Sequence, residues 1–92
     1  MSMPLVVVGA GGHAKVVIDT LREMEAEVLG LVDRDAGKVD SLIMGVAVFD
    51  EEGFLADHQP GALRLCSGIA FVAPRRSAFK RLKGLDYEFA AV

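Results

Sequence analysis

Three small residues near the start of the chain, Gly9, Gly11 and Ala14, have a spacing that is typical of phosphate-binding loops. In the pattern G-x-G-x-x-A, the first glycine makes a tight turn and the second lets an anion approach the backbone. The third small residue allows the following helix to pack closely on the preceding strand. A helix that begins here directs its unpaired amide groups at the loop, so backbone groups alone can bind a diphosphate.

An acidic residue stands at a second position that nucleotide-binding folds use. The apolar run at residues 28–32 ends in Asp33, which lies 24 residues after Gly9. Dinucleotide-binding folds place a carboxylate roughly 20 residues after the glycine loop, where it accepts hydrogen bonds from ribose hydroxyls. The two features together predict a nucleotide site, although similar glycine turns also occur in sheet proteins that bind no ligand.

The elements that must position these residues follow from the pattern of apolar residues. Residues 5–8 form a short apolar run without a polar face, as a central parallel strand requires. We predict strands at residues 5–8, 28–32, 46–48, 62–67 and 87–92, and helices at residues 12–25, 51–56 and 74–83. This alternation predicts an α/β fold, a small Rossmann-like three-layer domain with a parallel sheet of about four to five strands. Ligands in such sheets bind beyond the carboxyl ends of the strands.

Helical spacing also predicts which side chains the longer helices bury. In the first helix, the apolar stripe consists of Val16, Val17, Ile18, Leu21 and Met24. In the last helix, Phe79 and Leu82 are predicted to face the core. The basic residues of that helix form an outer face, which ordinary solvation explains.

Composition limits the partners that the chain can have. The 92 residues, of which 52% are hydrophobic, suit a single domain. The net charge is −3 and the ten lysines and arginines are scattered, which argues against a nucleic-acid partner and favours a small-molecule ligand.

The single cysteine, Cys66, excludes a disulfide framework and is predicted to be a buried core thiol. No apolar run approaches the roughly 18 residues of a membrane span, and signal-peptide features are absent, so we expect a cytoplasmic location.

Three segments resemble the N-terminal domain of the PglD-type sugar acyltransferases: VVVGAGGHAKVVIDTL, LGLVDRD and GIAFVAPRRSAFKRLKGLDYEFAAV. This family includes bacillosamine-pathway N-acetyltransferases and sialic-acid O-acetyltransferases. The resemblance covers essentially all 92 residues, and its most specific part is the G-x-G-G-H-A-K motif at residues 9–15. It implies a domain that binds a UDP-linked amino sugar. A separate left-handed β-helix, absent from this sequence, would bind acetyl-CoA and supply the catalytic histidine.

The same resemblance implies the roles of individual residues. The glycine loop with His13 corresponds to the diphosphate loop, and Asp33 with Arg34 corresponds to a motif beside the uridine. Ile69 departs from the Gly-Asn pair that many relatives have after the fourth strand, which removes an asparagine contact. Arg75 or Arg76 corresponds to an arginine at the start of the following helix. The predicted binding residues are Gly9, Gly11, Gly12, His13, Asp33, Arg34, Gly68 and Arg75.

We therefore expect a domain taken from a longer acyltransferase, itself inactive in acyl transfer, with no catalytic residue, metal site or cofactor of its own. Acetyl-CoA would be the co-substrate of the parent enzyme. By the resemblance the parent is a homotrimer, while the isolated domain is a monomer or weak dimer. Two other hypotheses remain open: an NAD-type dinucleotide-binding fragment of an oxidoreductase, with Asp33 on the adenosine ribose, and a structural or oligomer-forming module that binds nothing.

Overall fold

The computed structural model describes residues 3–90 of the chain. In chain order, its elements are β1 (Leu5–Val8), α1 (His13–Glu23), β2 (Val28–Asp33), β3 (Leu42–Ile43), β4 (Val46–Asp50), α2 (Glu51–Ala56), β5 (Arg64–Ser67) and α3 (Val72–Lys83). Two short 3-10 turns, Ala36–Lys38 and Pro60–Ala62, precede β3 and β5. The predicted α/β fold is confirmed.

The five strands form one sheet in the order β3-β4-β2-β1-β5. Strand β1 pairs in parallel with both β2 and β5, and β2 pairs in parallel with β4. The chain passes from β1 to β2 and β4 on one side of β1 and later to β5 on its other side, so the strand order reverses beside β1. A crevice opens at such a reversal, outside the carboxyl ends of the strands. The glycine loop leaves β1 at that end.

Strand β3 is the exception to the parallel sheet that the sequence predicts. It pairs antiparallel with β4 through a two-residue turn, in which Met44 and Gly45 adopt φ values of 51° and 81°. Two-residue hairpins favour positive φ at both central residues because this backbone twist matches the twist of the strands. Arg22 of α1 donates a hydrogen bond to the carbonyl of Met44 and holds this turn against the helix.

The core has two layers, one on each face of the sheet. Helix α1 covers the first, where the buried residues include Val7, Ala14, Val17, Ile18, Leu21, Leu31 and Cys66. Helices α2 and α3 cover the second, where they include Val6, Val8, Leu55, Leu65, Ala78, Leu82 and Tyr87. Side chains of β1 alternate between the two layers, so the whole strand is buried, as predicted.

Two details of α1 differ from the sequence prediction. Val16 and Met24, which were assigned to the apolar stripe, are each 58% exposed. The stripe that meets the sheet is narrower and includes Ala14, which is fully buried. A small residue at this position lets the helix approach the sheet closely, and that approach leaves the flanking Val16 outside the contact.

Helix α3 also differs from the prediction. It begins at Val72, two residues before Pro74, which is tolerated because the first N–H groups of a helix lack intrahelical partners. Phe79 was expected to face the core but is 46% exposed, and the buried residues of the helix are Ala78 and Leu82. Phe79 instead packs on Phe89, with 4.9 Å between ring centroids.

The last predicted strand is reduced to one bridge within the described residues. Phe89 pairs in parallel with Leu65, where the Leu65 amide donates to the Glu88 carbonyl and the Ala90 amide to the Leu65 carbonyl. Residues 91 and 92, which the prediction included, lie outside the described residues. Among residues 3–90, no helix is long and apolar enough to cross a membrane.

The buried Cys66 thiol gives a direct test of this core. Burial raises the pKa of Cys66 to about 11, and the thiolate is the form that reacts with thiol reagents. At pH 8 we expect the native protein to react with a disulfide reagent on the order of a hundredfold more slowly than the urea-unfolded chain. Equal rates for the native and unfolded chains would contradict the buried position.

Candidate functional site

An open cleft of about 590 Å³ lies at the carboxyl ends of the central strands. Its walls come from the glycine loop, the end of β2 with the turn that follows, the first residue of α2, and helix α3 with the loop before it. This is the position at which open α/β sheets bind their ligands. The topology therefore brings together segments that lie far apart in the sequence.

Most of the predicted binding residues line this cleft. They are Gly9, Gly11, Gly12, His13, Asp33, Arg34 and Gly68. Arg75 is not among the residues that line it, and instead borders two smaller cavities near Phe89 and Val16. The structure thus brings seven of the eight residues together, while their contacts with a ligand stay a prediction.

The N-terminus of α1 is open toward the cleft. Gly12 is its N-cap residue, without a side-chain cap, and no acidic side chain stands in the first turn. The Ala14 amide donates to the Gly11 carbonyl, but the amides of Gly11, Gly12 and His13 donate to no acceptor within residues 3–90. Free amides at the positive end of a helix dipole form a binding site for an anion.

Asp33 holds the glycine loop in place. One carboxylate oxygen accepts a hydrogen bond of 2.8 Å from the Ala10 amide, and the other accepts one of 2.8 Å from the Asp35 amide. The Gly9 amide donates to the Val32 carbonyl at 2.8 Å, which fixes the same loop to β2. The carboxylate predicted to contact ribose therefore has a structural role that sequence spacing did not indicate. It keeps acceptor capacity for a ligand hydroxyl, because each oxygen has a second lone pair.

The four glycines of the site fall into two groups. Gly9 has a φ of +99°, and a Cβ at this position would lie 2.7 Å from the Ile69 side chain. A Cβ on Gly68 would lie 2.6 Å from the carbonyl oxygen of Gly9 and 2.8 Å from the side chain of Val7. By contrast, a Cβ on Gly11 or Gly12 would meet no protein atom within 4 Å. Gly9 and Gly68 allow the strands to approach each other, whereas Gly11 and Gly12 leave space for a ligand.

Three charged residues in the cleft were not singled out from the sequence. Glu51 begins α2 and is 6% exposed, and Arg81 of α3 donates to its two carboxylate oxygens at 2.9 and 2.8 Å. Lys38 also lines the cleft, and neither Lys38 nor Arg34 forms a salt bridge with residues 3–90. The sequence analysis assigns Arg81 to the solvated face of its helix. Helical spacing alone cannot show that a neighbouring element carries a buried carboxylate with which this arginine pairs.

No group of three or more histidine, cysteine or carboxylate side chains in the described part of the chain could hold a metal ion. The cleft instead combines free amides, two cations that form no salt bridge with residues 3–90, and a partly buried ion pair. This combination suits an anionic ligand that also carries hydrogen-bonding groups.

A family model described as the PglD N-terminal domain matches residues 4–82. The chain belongs to this family. The resemblance found in the sequence is confirmed, and the glycine loop, Asp33 and the Glu51–Arg81 pair all lie within the matched part of this PglD N-terminal domain. Comparison with curated protein sequences gave no match.

Solved structures show the same relationship. Two variants of perosamine N-acetyltransferase from Caulobacter crescentus, each in complex with CoA and GDP-perosamine, are 28% identical to this chain, with TM-scores of 0.77 and 0.76. The match covers 95% of this chain and 40% of theirs. This PglD N-terminal domain therefore spans about two fifths of those proteins. UDP-D-quinovosamine 4-dehydrogenase from Vibrio fischeri has a TM-score of 0.76 at 14% identity, over 97% of this chain and 76% of its own, which shows a shared fold alone.

The close approach of Gly68 to Gly9 predicts a large effect of a single methyl group. Gly68→Ala places a Cβ against the Gly9 carbonyl and Val7, so we expect the free energy of unfolding to fall by about 1–3 kcal/mol. Urea denaturation measures this difference. Gly61→Ala is the matched control, since a Cβ there meets no atom within 4 Å. An equal stability of the two variants would contradict the proposed packing.

The two hydrogen bonds of Asp33 predict a second effect on stability. Asp33→Asn turns an NH₂ group toward one of the two backbone amides, and leaves that amide without an acceptor. We expect a loss of about 1–3 kcal/mol in the free energy of unfolding, as for other hydrogen bonds to charged groups. Asp19→Asn on the exposed face of α1 is the control. If both variants unfold at the same urea concentration, Asp33 does not hold the loop.

Proposed function

We propose that this domain binds the nucleoside diphosphate part of a nucleotide-linked amino sugar on behalf of a sugar acetyltransferase. The observation that carries the proposal is the uncapped N-terminus of α1, which presents the free amides of Gly11, Gly12 and His13 to the cleft. A diphosphate placed there would accept hydrogen bonds from these amides.

The side chains around the loop support the same ligand class. Arg34 and Lys38 line the cleft without salt-bridge partners among residues 3–90, and they would offset the negative charge of a diphosphate. His13 stands at the first position of α1 and is exposed to the cleft, where its ring can donate a hydrogen bond to phosphate or sugar. The cleft volume of about 590 Å³ lies within the usual range of small-molecule sites.

The similar proteins support the role of this domain within a larger enzyme. The two perosamine N-acetyltransferase structures contain CoA and GDP-perosamine, a nucleotide-linked amino sugar. We propose that acetyl-CoA is the acyl donor of the protein to which this domain belongs, and that the acceptor is an amino sugar on a nucleotide carrier. In that arrangement the domain holds the acceptor, and the acyl transfer takes place elsewhere in the protein.

Several finer expectations stay predictions. The sequence resemblance favours UDP as the carrier nucleotide, a trimeric parent and a role in glycan biosynthesis, and the cytoplasmic location is a further expectation. The dehydrogenase structure, at 14% identity, shares only its fold with this chain and does not by itself support the oxidoreductase alternative.

The open space beside Gly11 provides the test. Gly11→Val places a side chain in the cleft at a position where a Cβ meets no protein atom within 4 Å, so we expect normal folding and at least a tenfold loss of affinity for UDP- and GDP-linked sugars. Gly61→Val, which also meets no protein atom at its Cβ, is expected to bind like the original chain. Isothermal titration measures both, with NADH as a third ligand.

The possible results separate the three hypotheses. Unchanged affinity in Gly11→Val would remove the glycine loop from the binding site. Binding of NADH alone would favour the dinucleotide-binding alternative. If no nucleotide binds, the chain is the structural module instead.

A further inference from the structure

Glu51 is the one charged side chain that is buried among the described residues. It follows directly after β4, whose last residue, Asp50, pairs with Asp33 at the end of β2. Glu51 therefore stands beside the Asp33 and Arg34 segment, on the β2 and β4 side of the cleft. The opposite side, after β5, consists of Gly68, Ile69, Ala70 and Phe71, whose side chains are apolar or absent.

The contact between Glu51 and Arg81 leaves hydrogen-bonding capacity on both side chains. A single nitrogen of Arg81, Nη2, serves both carboxylate oxygens of Glu51, at 2.9 and 2.8 Å. Each carboxylate oxygen has two acceptor sites, and a guanidinium has five N–H donors. Both residues line the cleft and also a second cavity of about 770 Å³ between α2 and α3, so their unused donors and acceptor sites stand where the two cavities meet.

The hydrogen-bonding edges of the bases differ in how they match this arrangement. Guanine has a carbonyl acceptor, O6, beside two N–H donors, at N1 and at the exocyclic amine. An arginine N–H can donate to O6, and carboxylate oxygens can accept from the two N–H donors of guanine. Uracil has one N–H donor between two carbonyl acceptors, so one of its carbonyl oxygens would face a carboxylate oxygen. Lone pairs that face each other repel, so this contact disfavours uracil.

We propose that Glu51 and Arg81 recognise the base of the bound nucleotide and select guanine over uracil. This inference rests on the proposed function, since it needs a nucleoside diphosphate in the cleft. With the diphosphate at the N-terminus of α1, the base extends along β2 and β4 to the ion pair, and the sugar lies toward Phe71. The proposal departs from the UDP-linked sugar that the sequence resemblance implies.

The first experiment compares three nucleotides on the unchanged chain by isothermal titration: GDP, UDP and inosine diphosphate. Inosine diphosphate is guanosine diphosphate without the exocyclic amine, so it removes one donor to Glu51 and leaves the protein intact. We expect GDP to bind at least about tenfold more tightly than either of the other two. Equal affinity for GDP and inosine diphosphate would overturn the contact with Glu51, and UDP binding as tightly as GDP would overturn the selection of guanine.

A variant then tests the residue itself. Glu51→Gln replaces one acceptor oxygen by a donor, so its GDP affinity is expected to fall about tenfold. Its affinity for inosine diphosphate is expected to change little, and its affinity for UDP to stay equal or rise, because the NH₂ group can donate to a uracil carbonyl. Glu52→Gln is the matched control, because Glu52 is the next residue of α2, is exposed and does not line this cleft. A parallel loss of affinity for all three nucleotides in Glu51→Gln would assign the ion pair a structural role and overturn the proposal.

The outcomes distinguish a failure of this inference from a failure of the proposed function on which it rests. If none of the three nucleotides binds, the proposed function fails, and the inference fails with it. If all three bind with equal affinity, the nucleotide site stands and only the base selection is wrong. If Glu51→Gln does not fold, the comparison of GDP with inosine diphosphate on the unchanged chain decides alone.

Discussion

The close approach of backbone at the carboxyl end of β1 is the constraint on which the rest of this structure depends. Strand β1 has a neighbour on each side, and the chain must leave it by a sharp turn while both neighbours still pair. The Gly9 amide donates to the carbonyl of Val32, and the Gly68 amide donates to the carbonyl of Val8. Neither glycine has room for a side chain, because a Cβ on Gly9 would meet Ile69 and a Cβ on Gly68 would meet the carbonyl oxygen of Gly9. The cleft exists because the chain turns here, between β2 and β5.

The Glu51–Arg81 pair raises a different physical question, because an ion pair of this kind contributes little to stability. Removing a carboxylate from water costs several kcal/mol, and the attraction to a partner offsets this cost only in good geometry. Apolar side chains of similar size are often equally stabilising or better. Stability alone therefore does not account for a charged pair at the wall of a cleft. A pair with unused donors and acceptors at the wall of a cleft has a chemical use that an apolar pair lacks.

Local patterns predicted the elements and the loop, and the residues that they missed share a physical cause. The strand at residues 5–8, the glycine spacing and the helix at residues 51–56 depend on neighbours in the sequence, and the structure has them as predicted. Arg81 and Glu51 are 30 residues apart, so only the packing of α3 on α2 brings them together. Val16 and Phe79 were misplaced for a related reason. The helical period shows which face of a helix is apolar. How many residues of that face are buried depends on the shape of the sheet or helix that packs against it.

The structure also explains why the glycine motif predicts a fold more firmly than a ligand. Gly9 and Gly68 are required by contacts within the protein, and any chain with this sheet and this turn needs them. Gly11 and Gly12 touch no protein atom with an added Cβ, so only a ligand in the cleft would require them. A match to the glycine motif does not distinguish the glycines that the fold requires from the glycines that leave space for a ligand. The dehydrogenase fold at 14% identity fits this distinction, because the sheet and its turn can persist while the chemistry of the cleft changes. A particular ligand is therefore indicated by the residues that line the cleft, namely the glycine loop with its free amides and the side chains of the opposite wall.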